Sequence, residues 1–401
     1  MRNLPAALRD GVRILTAKHY PIQQEGVTFH CALTLAKRKN LALQYASRTL
    51  LPLAEPALPH ILHVGVTTMC NLSCPACPTG TGSLGRPGVH LDFDTYSKTI
   101  DELRDSLLFA LFWDWGEPLM HPRLAEMIAY AGRGAVKSVV STNGTVANTE
   151  PQLERLVLAQ PSVVIVCVDG ADQETHEQYR AGAALTRVLE TIRLLRKIKD
   201  RLGTPYPAIE FRVLATSGNQ HQMAQLLELA QQCGADFFNV KSLRPYDYRG
   251  NSIDSQLVPI APGLSRYAYG PADRTPAERL NFKRLGPLHC GKPHRAPTLN
   301  SDGTLSFCSY ASDESEHFGA VRPGAFVELW RSQRTLDKRA VFDRQGGTKS
   351  CGTCFFRSDH KPTIMHTVPL RPLPPELTLV RPETTEEFLR AVSGPLALAS
   401  R

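Results

Sequence analysis

Short runs of β-branched and aromatic residues alternate with amphipathic segments between residues 60 and 242. The runs that predict strands are 60–67, 108–115, 136–142, 163–169, 209–215 and 237–242. The segments near 94–106, 122–132, 151–159, 185–201 and 219–232 carry the apolar spacing of helices. Strands that alternate with helices predict a parallel sheet with right-handed crossovers. The predicted fold class is therefore α/β, a partial (β/α)6 TIM-like barrel whose reactive residues follow the strands.

The regions on either side of this alternation have different patterns. Residues 1–56 carry recurring leucines before Pro52 and Pro56 and predict a helical N-terminal extension, and residues 57–245 form the barrel. A Pro- and Tyr-rich linker at 246–284 leads to a small cysteine-bearing domain at 285–360, in which Thr304 to Cys308 predicts a strand. The Pro-rich tail, 361–401, predicts an extended strap and a short helix near 385–392.

Composition and charge exclude several classes of protein. Of 401 residues, 42% are apolar and 21% charged, which suits a globular core and not a disordered chain. We expect a cytoplasmic protein, because the first residues do not resemble a signal peptide. Residues 1–60 hold eight basic and three acidic residues, so most of the net charge of +8 lies there. This predicts a solvated helix face or peripheral contact with a membrane surface; aromatic residues for stacking on bases are lacking, so we expect no specific nucleic acid partner.

Seven of the ten cysteines fall in two groups, whereas Cys31, Cys167 and Cys233 stand alone and are assigned to packing. The first group, Cys70, Cys74 and Cys77, has the spacing C-x3-C-x2-C and follows the first predicted strand. Clustered cysteines in a cytosolic protein bind metal or perform redox chemistry. Thiolates suit zinc as well as iron–sulfur clusters; a structural zinc site would need a fourth ligand, for which His90 is the nearest histidine downstream.

This spacing after the first strand of a β/α barrel resembles the radical S-adenosylmethionine (SAM) superfamily over residues 60–245. The resemblance implies that Cys70, Cys74 and Cys77 hold a 4Fe-4S cluster whose open iron binds SAM. It also implies that the reduced cluster splits SAM to give a 5′-deoxyadenosyl radical. One position departs from the pattern, since many relatives carry an aromatic residue where this chain has Ala76.

Further residues resemble the SAM-binding motifs of that superfamily. Gly116-Glu117-Pro118 resembles the segment that receives the SAM amino group, and Thr142 with Asn143 occupies the position near the ribose. Asp169-Gly170 followed by Arg180 resembles a stretch in which the arginine pairs with the SAM carboxylate, a group that a planar guanidinium matches. The predicted SAM-binding residues are thus Gly116, Glu117, Thr142, Asn143, Asp169, Arg180 and Arg212.

The second group comprises Cys290, Cys308, Cys351 and Cys354. Zinc ribbons usually present two close cysteine pairs, and only one pair is close here. With Gly303 before Cys308, the order resembles the SPASM/twitch extension of radical SAM enzymes, in its shorter twitch form. The resemblance implies a second, auxiliary 4Fe-4S cluster with four cysteine ligands, and zinc remains the alternative.

The resemblance predicts a radical SAM oxidoreductase or modifying enzyme that abstracts hydrogen from a substrate, with net oxidation aided by the auxiliary cluster. The alternatives are a redox-neutral epimerase, another radical modification of a ribosomal peptide, and a non-catalytic zinc or iron–sulfur protein. The implied partners are an electron donor such as flavodoxin or ferredoxin and a peptide or small-molecule substrate. Residues 1–60 lack the strand-plus-helices pattern of a leader-peptide recognition domain, and no cobalamin-binding domain fits the chain.

Overall fold

The computed structural model describes residues 6–49, 56–146, 149–243, 247–248, 251–252, 257–261, 263–265, 267–269, 280–282, 290–311, 314–351, 354 and 364–393. The strands are β1 His19–Gln24, β2 Val27–Ala32, β3 Ile61–Val64, β4 Phe109–Phe112, β5 Lys137–Thr142, β6 Val163–Cys167, β7 Ala208–Ala215, β8 Phe237–Ser242, β9 Asp247–Tyr248, β10 Asn251–Ser252, β11 Tyr267–Tyr269, β12 Leu280–Phe282, β13 Thr298–Leu299, β14 Thr304–Ser306, β15 His317–Ala320, β16 Ile364–Pro369 and β17 Leu377–Leu379. The α-helices are α1 Ala6–Thr16, α2 Leu35–Thr49, α3 Phe93–Leu103, α4 Leu124–Gly132, α5 Glu150–Leu158, α6 Gln173–Tyr179, α7 Leu185–Leu202, α8 Met223–Gln232, α9 Lys292–Arg295, α10 Phe326–Arg331, α11 Gln333–Gln345 and α12 Thr385–Val392.

The six predicted barrel strands are confirmed as β3 to β8, which pair in parallel and in chain order. Their side chains are buried on both faces, as expected for parallel strands covered on each side. Outward-facing residues such as Leu62, Val164 and Phe211 pack against the surrounding helices. The reactive motifs therefore meet at the carboxyl edge of one sheet.

The predicted helical N-terminal extension is confirmed only in part, because two strands separate α1 from α2. Between α1 and α2 the chain forms the antiparallel hairpin β1–β2, which turns at Glu25 (φ 52°) and Gly26 (φ 82°). The short alternation of apolar and polar residues around this turn was the sequence signal for a hairpin. The stronger periodicity of the leucines later in the segment led to the helical prediction instead. The hairpin packs against the inner face of the barrel strands, where the rings of Phe29 and Phe109 lie 4.6 Å apart. The extension thus fills the concave side of the barrel.

Two basic residues of this extension are used inside the fold. Lys37 is buried, and its Nζ donates to the carbonyl oxygen of Gly134 at 2.7 Å. Arg38 donates to the carbonyl oxygens of Ile14 and Ala17, which end α1. Only part of the positive charge of residues 1–60 therefore lies on a solvated helix face. No α-helix within the described residues is long and apolar enough to cross a membrane.

The cysteine-bearing segment continues the barrel sheet instead of standing apart from it. β13 pairs in parallel with β3, and β14 and β15 follow, so one ten-stranded sheet runs from β15 to β16. Phe307, Phe318 and Trp330 belong to the same apolar core as the barrel helices. The predicted strand at 304–308 is confirmed as β14. Strand hydrogen bonds and core packing thus join the cysteine-bearing segment, predicted to begin at 285, to the barrel.

The tail returns to the barrel in two places before its helix. β16 pairs antiparallel with β8 at the sheet edge, and β17 adds a third strand to the hairpin by pairing with β2. The helix predicted near 385–392 is confirmed as α12, which Thr384 and Glu387 begin with a capping box. Most of the predicted linker at 246–284 lies outside the described residues.

Candidate active site

A cavity of about 290 Å³ opens at the carboxyl ends of the barrel strands. Except for Asp169, every residue predicted for the first cluster and for SAM lines this cavity, namely Cys70, Cys74, Cys77, Gly116, Glu117, Thr142, Asn143, Arg180 and Arg212. His90, the alternative fourth zinc ligand, does not line it and instead packs its ring against that of His121 at 5.1 Å. The structure therefore brings together three thiols and a set of polar groups drawn from separate strands.

The cysteine loop is held by main-chain contacts. Leu72 N–H lies 3.5 Å from Cys70 Sγ, and Cys77 N–H donates to Cys74 O at 3.2 Å. A Cβ at Gly80 would lie 2.5 Å from main-chain atoms of Cys74, so the loop needs glycine there. Burial raises the pKa of the Cys74 thiol to about 11, and the positive charge of bound iron is what would favour the thiolate.

The three thiols surround a space and do not converge on one point. Among the described residues, no three His, Cys, Asp or Glu side chains are arranged to hold a single metal ion. A 4Fe-4S cluster needs no such convergence, because each cysteine binds a different iron atom. The donor set and its spacing thus fit a cluster with three protein ligands.

Glu117 ties the ends of neighbouring strands together beneath the cavity. Its buried carboxylate accepts from Thr142 Oγ1 at 2.7 Å, from Asn143 N–H at 2.7 Å and from Leu119 N–H at 3.0 Å. Burial raises the pKa of Glu117 in spite of these hydrogen bonds. Gly116 before it packs so closely that a Cβ would lie 2.2 Å from Thr67 O. The motif therefore fixes the strand ends as well as lining the cavity.

Arg180 reaches the cavity and Asp169 holds it there. The Arg180 Nε atom donates to Asp169 Oδ2 at 2.5 Å, and Asp169 Oδ1 accepts from Leu214 N–H at 2.6 Å. Asp169 is fully buried, whereas 18% of the Arg180 side chain is exposed. The Asp169 carboxylate outweighs burial and raises the pKa of Arg180. Asp169 thus orients the arginine and does not itself line the cavity.

Arg212 lies in a buried cluster of charges that sequence reasoning missed. It donates to Glu210 on its own strand and to Glu25, at 2.6 Å, on the turn of the N-terminal hairpin. Lys241 Nζ lies 3.5 Å from the same Glu25 carboxylate. Burial alone would raise the pKa of Glu25, but Lys241 and Arg212 outweigh it and lower the pKa to about 2. No local motif marks Glu25, because only the fold brings residue 25 beside residues 212 and 241.

Among the other residues that line the cavity without having been predicted, three carry groups that can exchange protons. Asp114, at the end of β4, has a pKa raised to about 7 by burial, although Arg86 and Lys292 oppose the shift. Cys167, assigned to packing from its sequence, forms part of the wall at the end of β6. Tyr310 reaches the cavity from the cysteine-bearing segment. The signal for Asp114 and Cys167 was their position at strand ends.

The second group of cysteines surrounds a separate small cavity. Cys290, Cys308, Cys351 and Cys354 all line it, together with apolar side chains and the polar residues Lys292, Glu316, Thr348 and Ser350. The main-chain N–H groups of Lys292 and Tyr310 donate to the sulfurs of Cys290 and Cys308. Burial raises the pKa of the Cys308 thiol to about 12. Four thiols around one small cavity, two of them with main-chain N–H donors, fit a cluster whose irons are all held by protein.

The sequence of this chain is similar to a known family and to known proteins. The family model of the radical SAM superfamily matches residues 64–205. An AdoMet-dependent heme synthase of Methanosarcina barkeri is 30% identical over 324 residues, covering 75% of this chain and 89% of the relative. The mycofactocin maturase MftC of Mycobacterium tuberculosis is 25% identical over 303 residues, 72% of this chain and 74% of the relative.

A solved structure has a similar fold. The crystal structure of Streptococcus suis SuiB bound to S-adenosylmethionine superposes with a TM-score of 0.54 at 11% identity, covering 79% of this chain and 88% of that one. The chain belongs to the radical SAM superfamily. It is an enzyme whose family cofactors are a 4Fe-4S cluster and SAM.

Proposed function

We propose that this enzyme reductively cleaves SAM, abstracts hydrogen from a bound substrate and completes a net oxidation with the help of an auxiliary 4Fe-4S cluster. The observation that carries the proposal is the pair of neighbouring cavities. One is lined by three cysteines and polar groups, and the other by four cysteines. The first set leaves a coordination position open for SAM, whereas the second leaves none.

The chain's own residues bind and orient SAM in the first cavity. When bound there, the reduced cluster supplies the electron that splits the sulfonium of SAM into methionine and a 5′-deoxyadenosyl radical. Arg180 uses Nε for Asp169, so its outer nitrogens remain to bind the SAM carboxylate. Glu117 fixes Thr142 and Asn143 at the edge where the ribose binds, and its carboxylate with the adjoining main chain receives the SAM amino group.

Electron accounting supports the role of the second cavity. Removing one hydrogen atom leaves a substrate radical, which becomes an oxidised product only after it loses one more electron and one proton. A fully ligated cluster in the second cavity suits an electron acceptor, because no iron is open to bind substrate. A flavodoxin- or ferredoxin-type protein supplies electrons from outside. We assign the site of action to the cytoplasm, where thiols stay reduced.

The substrate is a peptide or a small molecule. By name, one sequence relative makes heme and another matures mycofactocin, so the relatives point to different substrates. One observation favours a redox-neutral outcome as the second candidate: the Cys167 thiol lines the cavity and could return a hydrogen atom to a substrate radical. Incorporation of solvent deuterium into a product of otherwise unchanged mass would identify that epimerase-type outcome.

The proposal is tested by iron content and SAM cleavage. After anaerobic reconstitution we expect about eight irons per chain, and about four after Cys70, Cys74 and Cys77 are replaced together by Ala, with SAM cleavage abolished. Replacing Cys308 or Cys354 should also leave about four irons, but with SAM cleavage retained. Cys233→Ala is the matched control, because this thiol is buried away from both cavities.

Two outcomes would contradict the proposal, and a third would show that its two sites are coupled. Stoichiometric zinc in place of iron would support the non-catalytic alternative. Unchanged iron in the triple variant would remove the first site. Loss of both clusters from Cys308→Ala alone would show that the shared sheet makes the two sites depend on each other.

A further inference from the structure

Tyr310 stands between the two cavities. It lines the SAM cavity and also the four-cysteine cavity, and within the described chain it is the residue common to both linings. It follows Cys308 by two positions, and its main-chain N–H donates to the Cys308 sulfur. The tyrosine is therefore part of the wall that separates the two sites and is attached directly to a ligand of one of them.

Trp115 holds this wall from the SAM side. Its indole N–H donates to Ser309 O at 2.7 Å, and its ring meets that of Tyr310 edge to face with centroids 5.8 Å apart. Trp115 lines the SAM cavity and directly precedes Gly116. A hydrogen bond and an aromatic contact thus join the SAM-binding strand end to the loop that carries Cys308.

Arg86 clamps the same loop from the cysteine-loop side. Its guanidinium donates to Asn300 Oδ1 at 2.9 Å and to Ala311 O at 3.2 Å. With Trp115 on one side and Arg86 on the other, the segment 308–311 has few alternative positions.

An electron crosses a protein more easily through bonded and closely packed atoms than through a gap. One packed route runs from the SAM cavity through the Tyr310 ring, with Trp115 against it, into the main chain at Cys308. No bond forms or breaks along this route, and the tyrosine gains and loses no proton. One electron leaves a donor in the SAM cavity and arrives at the four-cysteine site.

We propose that the Tyr310 ring, braced by Trp115, is the contact through which electrons pass between the SAM cavity and the auxiliary cluster site. The inference rests on the proposed function and adds the residue that connects its two halves. The aromatic ring is the essential part, and the hydroxyl is not.

The test follows the electron directly and needs no substrate. The reconstituted enzyme is reduced with dithionite, freed of excess reductant, mixed with SAM and frozen at intervals. SAM cleavage withdraws an electron at the first cluster, and buffer glycerol supplies the hydrogen that the adenosyl radical takes. Low-temperature EPR then measures how fast the signal of the reduced auxiliary cluster decays as its electron crosses the same route in the reverse direction, from the four-cysteine site to the SAM cavity.

Four variants separate the possible explanations. At saturating SAM, Tyr310→Leu should slow the decay several-fold with iron content unchanged, whereas Tyr310→Phe, which keeps the ring, should decay as the wild type does. Trp115→Phe removes the hydrogen bond to Ser309 and should give an intermediate rate. Tyr130→Leu is the matched control, because Tyr130 bonds Asp101 on α3 and lines neither cavity.

The outcomes distinguish this inference from the proposed function. Decay at the wild-type rate in both Tyr310→Leu and Trp115→Phe overturns the role of the wall and leaves the two-cluster function standing. An auxiliary signal that never decays in the wild type also overturns it. Only four irons per chain, with no second EPR signal, would overturn the proposed function itself. If Tyr310→Leu loses iron, the decay rate of Trp115→Phe is used instead: a slower decay than in the wild type supports the inference, and an equal decay overturns it.

Discussion

Replacing Arg180 by alanine tests how the cavity binds SAM, and the structure shows that the change has two separable effects. The first is the loss of the guanidinium that faces the cavity. The second is the loss of the ion-pair partner of Asp169, because Asp169 is fully buried and Arg180 lies 2.5 Å from its carboxylate. Removing one partner of a buried pair leaves an uncompensated charge.

Both effects have a magnitude. A charge-assisted hydrogen bond contributes roughly 1.5–3 kcal/mol, so Arg180→Ala should weaken SAM binding about ten- to hundredfold. The stranded Asp169 carboxylate should also lower stability by roughly 3–5 kcal/mol. Adding Asp169→Asn to this variant removes the stranded charge, while an amide can still accept from Leu214 N–H. The double variant should therefore recover stability without recovering SAM affinity.

Calorimetric titration of SAM into the oxidised, reconstituted enzyme measures affinity, and the thermal midpoint of the same samples measures stability. Arg180→Lys is the conservative variant, because it keeps the charge and loses the planar fork. SAM affinity unchanged in Arg180→Ala would refute the assignment of the carboxylate site. Affinity restored in the double variant would show instead that the single change acted only by disturbing the fold.

Two further predictions concern the floor of the cavity. Gly116→Ala should lower SAM affinity and thermal stability, because the new Cβ would lie 2.2 Å from Thr67 O. Gly132→Ala is the control: a Cβ there would have no atom within 4 Å, so the variant should be neutral or more stable by about 0.5–1 kcal/mol. Equal behaviour of the two variants would contradict the packing argument. Glu25→Gln should cost about 3 kcal/mol at neutral pH, because the pKa of Glu25 is lowered from 4.5 to about 2. This stabilisation is present above pH 4.5 and is lost as the pH falls towards 2, so the difference in melting temperature between wild type and variant should shrink from pH 5 to pH 3; a constant difference would exclude the ion pair as its cause.

The sequence by itself determined the features that depend on local pattern. Strand and helix periodicity predicted six β/α units, and the order of motifs placed Cys70, Glu117, Asn143 and Arg180 after successive strands. In a parallel sheet, residues at the carboxyl ends of the strands meet at one edge, so a one-dimensional order was enough to predict a shared cavity. The four-cysteine set was predicted differently, from its resemblance to the SPASM/twitch extension, with zinc as the alternative.

The tertiary structure alone decided which distant segments complete the cavity. Glu25 reaches Arg212 because the N-terminal hairpin fills the inside of the barrel, and Tyr310 reaches Trp115 because β13 extends the sheet beside β3. Neither contact could be predicted from the local sequence pattern. A short hairpin and a two-residue strand are stabilised by the surface on which they pack, and they are too short to show a periodicity of their own. The pKa of Glu25 is also decided by the tertiary structure. It depends on burial and on the cations Lys241 and Arg212, which only the folded chain brings near residue 25.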